Sequence, residues 1–524
     1  MHWARWGDPA EAAPLPEAAR GLVEMAFGPA TEHPTTPLDQ VRLPAPGLAE
    51  DLLAGLRDLV GGAHVHLDHE TRVRHTRGKS TPDLLRMRAG DGADAPDAVV
   101  TPASHDEVAA VVRWCSERRV ALVPFGGGTS VVGGLAAQRE GFAGVVALDL
   151  RRLDRLVSVD AQSRTAVLGA GLLGPRAEAL LGERGLTLGH FPQSFEYASI
   201  GGFAATRSSG QASSGYGRFD SLVMGLKVAT PQGTLELGSA PASAAGPDLR
   251  QLVLGSEGAF GVITEVTVRV RPVPAVRVYE GWRFASFGEG AEALRELVQA
   301  GIVPTVLRLS DENETALNLA RPAEVGGESS GGVLMVTGYE GDRATVDAQR
   351  SLVGARLVAR GGRPLGEEAG QAWAEGRFHG PYLRDSMLDV GVLVETLETA
   401  TFWSNVSHVY GAVSEALTTA LGEQGTNPLV LCHISHVYET GASLYFTVAA
   451  QQLGDGLEQW ARAKAAASDA MVAAGATITH HHAVGRDHKP WLAQEIGPVG
   501  VGMLRAVKFE IDPHGVLNPG ILVP

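Results

Sequence analysis

Apolar residues recur along this chain with two alternating periods, one strand-like and one helix-like. From Pro96 onward, "DAVVTPASHDEVAAVVRWCSERRVALVPFGGGTSVVGG" reads as strand, helix, strand and Gly-rich loop. The helix start is marked by "SHDE", a capping box with Ser104 as N-cap and Glu107 three residues on. "GVVALDL", "LVSVDAQSRTAVLGAG" and "RAEALLGERGLTLG" continue as strand, hairpin and helix. The hydrophobic period then stops. "FPQSFEYASIGGFAATRSSGQASSGYGRFDSLV" is rich in Gly and Ser, and so long an aperiodic stretch inside a compact domain points to a segment lining a ligand. "VMGLKVATPQGTLEL" predicts a hairpin turning at Pro231, Gln232 and Gly233. "GVITEVTVRVRPVP" predicts an alternating strand whose prolines mark a domain exit.

The pattern after that exit is internally duplicated. "VYEGWRFASFGEGAEALRELVQAGIVPTVLRLSD" is strand, helix, strand, and "GGVLMVTGYEGDRATVDAQRSLVGARLVARGG" repeats the order. Two such units side by side predict a split ferredoxin-like sheet. Polar and helical segments follow, then the strand "SLYFTVAA", the helix "GLEQWARAKAAASDAMVAAG", a run of histidines, and a final helix ending in a turn. The boundaries expected are an N-terminal helical and extended layer over 1–93 and a ligand-binding domain over 94–273. A substrate or cap domain over 274–495 follows, with a C-terminal segment over 496–524 that returns to the ligand-binding domain.

Composition narrows the function. The chain has 524 residues, 44% hydrophobic and 20% charged, which suits a globular protein of about three domain-equivalents. A formal net charge of −15 argues against nucleic acid as a partner while leaving room for a local basic pocket. Two cysteines, Cys115 and Cys432, exclude a disulfide framework or a Cys-based metal cluster and read as small buried hydrophobes. The opening stretch "MHWARWGDPAEAAPLPEAARG" is acidic with no apolar run, so no signal peptide is expected. No apolar run approaches the ~18 residues of a spanning helix. The expected location is cytoplasmic, with peripheral membrane contact and a homodimer left open.

Several motifs carry candidate chemistry. "PFGGGTSVVGGL" follows the strand "VALVP"; successive glycines there let backbone N–H groups form an anion nest, to which Thr129 and Ser130 add hydroxyls. It is not a dinucleotide fingerprint of the Rossmann type, because Val131 stands where Gly is required and a strand follows instead of a helix. "TRGKS" (Thr76 to Ser80) imitates the end of a P-loop, but Val73 occupies the position of the earlier Gly. "LGSEGAFGVITEV" offers glycines for close approach to a flat ring, or simply a loop. Arg207, Arg308 and Arg384 are candidate anion binders, a surface ion pair being the ordinary role of any arginine. Tyr445 lies mid-strand, where a half-buried core phenol is the ordinary role. In "GATITHHHAVGRDHKPW", a strand would put His480 and His482 on one face and His481 on the other. A metal there needs a third ligand, and spacing supplies none from Asp487, His488 or the patch "HVHLDHE". Metal site, active site and surface cluster all stay open on spacing alone.

Taken together, "PFGGGTS", "QSFEYASIGGFAATRSSG" and "GSEGAFGVITEVTVRVRP" resemble the flavin-binding loops of the vanillyl-alcohol oxidase / PCMH-type FAD family, in that family's order. Within it, "WARWGDP", "GHFPQSFEYASIGG", "LRDSMLDVGVLVETLETATFW", "YETGASLYF" and "HHHAVGRDHKPWL" are most similar to the alkyldihydroxyacetonephosphate synthase subfamily, almost end to end. The resemblance implies an α+β fold: a PCMH-type FAD-binding domain of two α+β subdomains, plus a cap domain with a ferredoxin-like antiparallel sheet flanked by helices. It implies FAD held by Pro124, Phe125, Gly126, Gly127, Gly128, Thr129 and Ser130 in the first loop. Gln193, Ser194, Phe195, Glu196, Tyr197, Ala198 and Ser199 form the second, and Thr206, Arg207, Ser208 and Ser209 the third. Glu257, Gly258, Ala259, Phe260, Gly261, Val262 and Ile263 form the fourth. No histidine stands in "PFGGGTS" to form a covalent link, so FAD is expected to be non-covalent.

The resemblance also implies an unusual reaction. Oxidised FAD takes up an acyl-dihydroxyacetone phosphate through N5 after proton loss from C1. The fatty acid leaves, a fatty alcohol enters, and the ether departs with no net redox change. On this chain Tyr445 resembles the proton-abstracting tyrosine and Arg384 the phosphate-holding arginine. His480, His481 and His482 resemble active-site histidines, and Arg308 a residue on which flavin and activity depend. The expectation is a cationic wall of histidines that lowers the Tyr445 pKa, a small-molecule or lipid substrate with a phosphate or carboxylate, and no metal. The rival on the same fold is a dehydrogenase or oxidase of a 2-hydroxy acid or another alcohol. A metal-dependent hydrolase would need a third ligand beside the histidine run.

Overall fold

The computed structural model describes residues 1–15, 17–136, 138–318 and 331–524. Its first sheet joins β1 (Val65–His66), β2 (Ala98–Val100), β3 (Ala121–Phe125) and β4 (Val145–Asp149) in the order β1-β2-β4-β3. β2, β4 and β3 run parallel and are buried almost throughout, as continuous apolar runs such as "VVALD" require. Helices α1 (Glu50–Val60) and α2 (His105–Arg118) cover this sheet; Leu53, Leu56, Val108, Val111 and Val112 sit in one core with Val100 and Leu122. Residues 50–66, assigned from the sequence to an N-terminal layer, thus supply a helix and an edge strand to this sheet. The capping box forms: Ser104 Oγ accepts from Glu107 N (3.2 Å), and the Glu107 carboxylate accepts in return from Ala103 N (2.8 Å).

The second sheet is antiparallel, with β5 (Leu156–Asp160), β6 (Thr165–Gly169), β7 (Val223–Thr230), β8 (Gly233–Leu237) and β9 (Val262–Arg269) in the order β5-β6-β9-β7-β8. The seven-residue helix α3 (Ile200–Thr206) packs Ile200 and Phe203 onto its apolar face with Leu168, Val228 and Val266. The C-terminus closes the unit: Leu122 N donates to Val516 O (2.8 Å), and Asn518 N donates to Leu122 O (2.8 Å).

The third sheet holds seven strands. The predicted pair of units is β10 (Val276–Phe284), α4 (Phe287–Gln299), β11 (Val306–Ser310), then β12 (Val333–Gly341), α5 (Arg343–Ala359) and β13 (Arg363–Gly366). They pair as β13-β10-β12-β11, the split ferredoxin-like arrangement expected. After α6 (Gly380–Asp389), the same order begins again with β14 (Val392–Phe402), α7 (Val406–Gly422), β15 (Leu429–Ile434), β16 (Gly441–Gln451) and α8 (Gly456–Ala473). These extend the sheet as β11-β15-β16-β14. The place of a fourth strand, beside β14, goes to residues 477–482, which bend instead of pairing. Thr477 N reaches Ala400 O (3.1 Å) and Thr399 Oγ1 donates to Thr477 O (2.5 Å) before the chain turns away. The histidine run therefore occupies an unfinished strand position. The final helix, α9 (Lys489–Ile511), breaks at Gly497 and Pro498.

Candidate active site

A cavity of about 970 Å³ lies between the glycine loops of the first two sheets and one face of the seven-stranded sheet. All seven residues from Pro124 to Ser130 line it. The loop is pressed against its neighbours. A Cβ on Gly127 would lie 1.8 Å from Tyr197 O, and one on Gly258 (φ +83°) would lie 2.6 Å from Pro124 Cγ. Glycine at these two positions is what lets the first, second and fourth loops close around one space. Beneath them Lys79 N donates to Ser130 O (2.6 Å), while the buried Lys79 ammonium donates to His2 O (2.7 Å) and Trp3 O (3.1 Å). "TRGKS" is thus a structural prop for the glycine loop.

The loops do not contribute evenly. Gln193, Ser194, Ala198, Ser199, Thr206, Ser208 and Ser209 line the cavity, as do Glu257, Gly258, Gly261, Val262 and Ile263. Phe195, Glu196 and Tyr197 do not: Phe195 packs on Phe191 (5.0 Å) and Phe378 (5.9 Å), Glu196 is exposed, and Tyr197 meets Trp6 edge-on (5.7 Å). Arg207 also points elsewhere. Its Nε donates to Leu254 O (3.0 Å), one Nη donates to Gln251 O (2.8 Å), and the other pairs with Asp220 (3.4 Å). Ala259 and Phe260 turn into an apolar core with Val484, Leu492 and Ile521. In each case an aperiodic loop must keep some side chains for its own packing, and spacing does not say which.

The opposite wall is built by strand register. Tyr445 on β16 stands across from Glu398 on β14 and His433 on β15. Its half-buried ring is sandwiched between His433 (centroids 4.8 Å, planes 18° apart) and His481 (5.9 Å, 16°), with His482 edge-on at 5.6 Å. Arg308 on β11 donates to Glu314 (2.9 Å) and lies 3.0 Å from His433 Nδ1. Arg384 on α6 donates to Lys79 O (2.6 Å). The cavity therefore brings Tyr445, His481, His482, Arg308 and Arg384 together. It leaves out His480, whose Nε2 is 2.5 Å from the Tyr438 hydroxyl. His64 and His66 of "HVHLDHE" lie beside Thr101, away from the cavity. Asp487 pairs with Lys464 (3.1 Å).

Four residues that sequence reasoning missed complete this wall. His433, His436 and Glu395 line the cavity, and Glu398 is buried behind it. The Glu398 carboxylate accepts from Thr479 Oγ1 (2.5 Å) and from the backbone N–H groups of His480 (2.6 Å), His481 (3.2 Å) and His482 (2.9 Å). It is the anchor that turns the unfinished strand. The run "VETLETA" signals a strand carrying two glutamates, but what they hold is far off in sequence: Glu398 holds the segment some eighty residues on, and Glu395 accepts from Thr81 N.

Burial sets the protonation states, and it reverses the expected cationic wall. Desolvation lowers the pKa of His433, His481 and His480, and takes His482 to about 3. The imidazoles are neutral near pH 7, and the nearby cations are the arginines. Desolvation also pushes Tyr445 up to about 12, with Glu395 and Glu398 raising it and Arg308 lowering it. The lowered pKa expected for Tyr445 is not found, because the histidines carry no charge with which to lower it.

The same burial predicts acid sensitivity. A folded-state imidazole pKa below its unfolded value means the unfolded chain binds more protons. The stabilisation is complete above about pH 6.5 and declines as pH falls toward the folded value, by about 1.4 kcal/mol per pH unit per imidazole. Burial works against the Glu398 carboxylate, but the charge the imidazoles gain once protonated and the hydrogen bond from Thr479 hold it well below the usual carboxylate range, so its contribution is lost in the same direction at lower pH. The thermal midpoint is expected to drop steeply between about pH 7 and 5.5. An unchanged midpoint over that interval would show that the imidazoles are not buried and neutral.

Several residues that line the cavity carry a buried polar atom with no partner among the described residues: Arg308 Nε, Arg384 Nε, Ser209 Oγ, Gln211 Oε1 and Glu314 Oε2. With the glycine loops opposite, they suit a ligand that is large, flat and anionic at one end.

Comparison with known proteins matches two families in sequence. Residues 96–238 match the family described as "FAD binding domain", and residues 273–522 match "FAD linked oxidases, C-terminal domain". The chain is 34% identical to an alkyldihydroxyacetonephosphate synthase from Trypanosoma brucei brucei over 92% of its own length and 82% of that protein's. A solved alkyldihydroxyacetonephosphate synthase superposes with a TM-score of 0.86 at 29% identity, covering 100% of this chain and 99% of that one. A solved 4-ethylphenol oxidase from Gulosibacter chungangensis shares the fold with a TM-score of 0.71 at 15% identity, over 91% of this chain and 98% of that one.

Proposed function

The chain belongs to the alkyldihydroxyacetonephosphate synthase family, with FAD as its cofactor, and from that premise we propose that it exchanges the acyl group of an acyl-dihydroxyacetone phosphate for a fatty alcohol, a step of ether-lipid synthesis. The observation that carries this reading is the Tyr445 ring stacked between two imidazoles in the cavity that also holds Arg308 and Arg384, opposite the glycine loops. The glycine loops and the hydroxyls of Thr129, Ser130 and Ser209 would hold FAD, whose bound ring supplies the electrophile on which the exchange depends. Arg384, with Nε unpartnered, holds the substrate phosphate. Tyr445, once ionised, takes the proton from the carbon beside the substrate carbonyl. The neutral imidazoles of His433 and His481 flank the phenol and offer ring nitrogens as proton acceptors. Arg308 is fixed by Glu314 and steadies the ionised phenol.

The test uses the purified FAD-loaded protein without oxygen. Palmitoyl-dihydroxyacetone phosphate is added, then hexadecanol. Release of palmitate and formation of the ether, with oxidised flavin at the end, is the expected result. Two-electron reduction by a 2-hydroxy acid without acyl release would replace this reading with an oxidoreductase. Arg384→Ala is expected to remove a charged hydrogen bond of about 1.5–3 kcal/mol, raising KM for the phosphorylated substrate roughly 10- to 150-fold. An unchanged KM would take the phosphate away from Arg384.

A further inference from the structure

The sequence offers no third ligand beside the histidine run, but the fold supplies one. His436 follows β15 and is buried against the run. One ring nitrogen each from His436, His480 and His481 lie within 4.8 Å of one another. His480 Nδ1 and His481 Nδ1 are 2.9 Å apart. Their rings are nearly perpendicular, at 83°, while His436 stacks on His480 with centroids 5.1 Å apart.

Two further features point to a ligand. His436 is 5% exposed, and its Nδ1 has no hydrogen-bond partner among the described residues. A buried imidazole nitrogen left bare is costly unless something fills the site. The surroundings also orient the other two rings. Tyr438 Oη lies 2.5 Å from His480 Nε2, so His480 can donate there and turn its Nδ1 lone pair toward His481 Nδ1, with which it shares a hydrogen bond that a bound ion would replace. Glu398 holds the backbone of all three consecutive histidines and brings a carboxylate within 3.5 Å of His481 Nδ1.

We propose that His436, His480 and His481 form a binding site for one divalent transition-metal ion, with Tyr438 and Glu398 orienting the ligands. Three neutral nitrogen donors suit zinc or a neighbouring first-row ion rather than calcium or magnesium, which take oxygen ligands. A three-histidine set leaves a coordination position open. Since His436 and His481 both line the cavity, an ion held there is reached from it. His482 belongs to the Tyr445 stack and not to this set. The proposal concerns binding alone and does not depend on the reaction proposed above.

The test measures metal, not turnover. FAD-loaded protein is stripped with a chelator, dialysed and titrated with zinc alone, following stoichiometry by elemental analysis and affinity by calorimetry. One equivalent per chain is expected for the unaltered protein and for His482→Ala. His436→Ala is expected to lose that equivalent while retaining FAD. Tyr438→Phe, which keeps all three ligands, should weaken binding roughly 10- to 100-fold. Should His436→Ala fail to fold, cobalt added to the unaltered protein serves instead: visible bands beyond the flavin absorption, displaced by zinc, are expected. No zinc above background, equal uptake by His436→Ala, or no cobalt bands would each overturn the proposal.

Discussion

Tyr445→Phe is expected to keep FAD bound and to lower turnover by roughly 10²- to 10⁴-fold, the usual contribution of a positioned general base. The substitution removes one oxygen and leaves the ring stack with His433 and His481 in place, so folding should hardly change. The readout is fatty-acid release under single-turnover conditions, with the flavin spectrum as the control for cofactor loading. Turnover like that of the unaltered protein would remove Tyr445 from the reaction. The pKa adds a second arm. A base acts when unprotonated, and burial pushes this phenol up to about 12. Its ionised fraction therefore grows with pH across the neutral and alkaline range. The rate constant at low substrate should climb about tenfold per pH unit above neutrality. A flat profile would mean that another group takes the proton.

Glu398→Ala is expected to be the most damaging substitution outside the reacting groups. The carboxylate is fully buried and accepts four hydrogen bonds, three from consecutive backbone N–H groups. Removing it strands those donors with no water to replace it. The expected cost is about 3–5 kcal/mol, the range for breaking a buried charged network. The histidine segment should lose its bend, so activity falls even at temperatures where the chain stays folded. Glu398→Gln separates charge from geometry. One amide oxygen can still serve Thr479, His481 and His482, while the NH₂ group faces the N–H of His480. The expected loss is about 1–3 kcal/mol. Chemical denaturation with flavin fluorescence and far-ultraviolet circular dichroism would measure both. If Glu398→Ala unfolds at the same denaturant concentration as the unaltered protein, Glu398 does not anchor the segment.

Fold and cofactor were legible because their signals are local. The Ser104 capping box, the alternation of the strands and the repeated strand-helix-strand unit each act over a few neighbouring residues. The glycines of "PFGGGTS" are likewise constrained by close approaches that only glycine permits, as at Gly127 against Tyr197 O. The seven-stranded sheet was only half anticipated, because its second half spaces its strands differently and ends in a segment that never pairs. Arg207, Phe195 and Phe260 show the opposite error: they lie within the right loops but face away from the cavity. Loop orientation depends on what lies underneath, which a motif does not encode.

By itself the sequence determined the family, the glycine loops that suit FAD, and the candidates Tyr445, His481, His482, Arg308 and Arg384. These follow from residue type at short spacing. Only the tertiary structure decided that His433 stacks on Tyr445, that His436 meets His480 and His481, and that Glu398 ties down the run eighty-odd residues later. It also decided the charge of the site, because a pKa is set by desolvation and neighbouring charge. Imidazoles that look cationic in a string of letters become neutral once the sheet and the loops exclude water from around them.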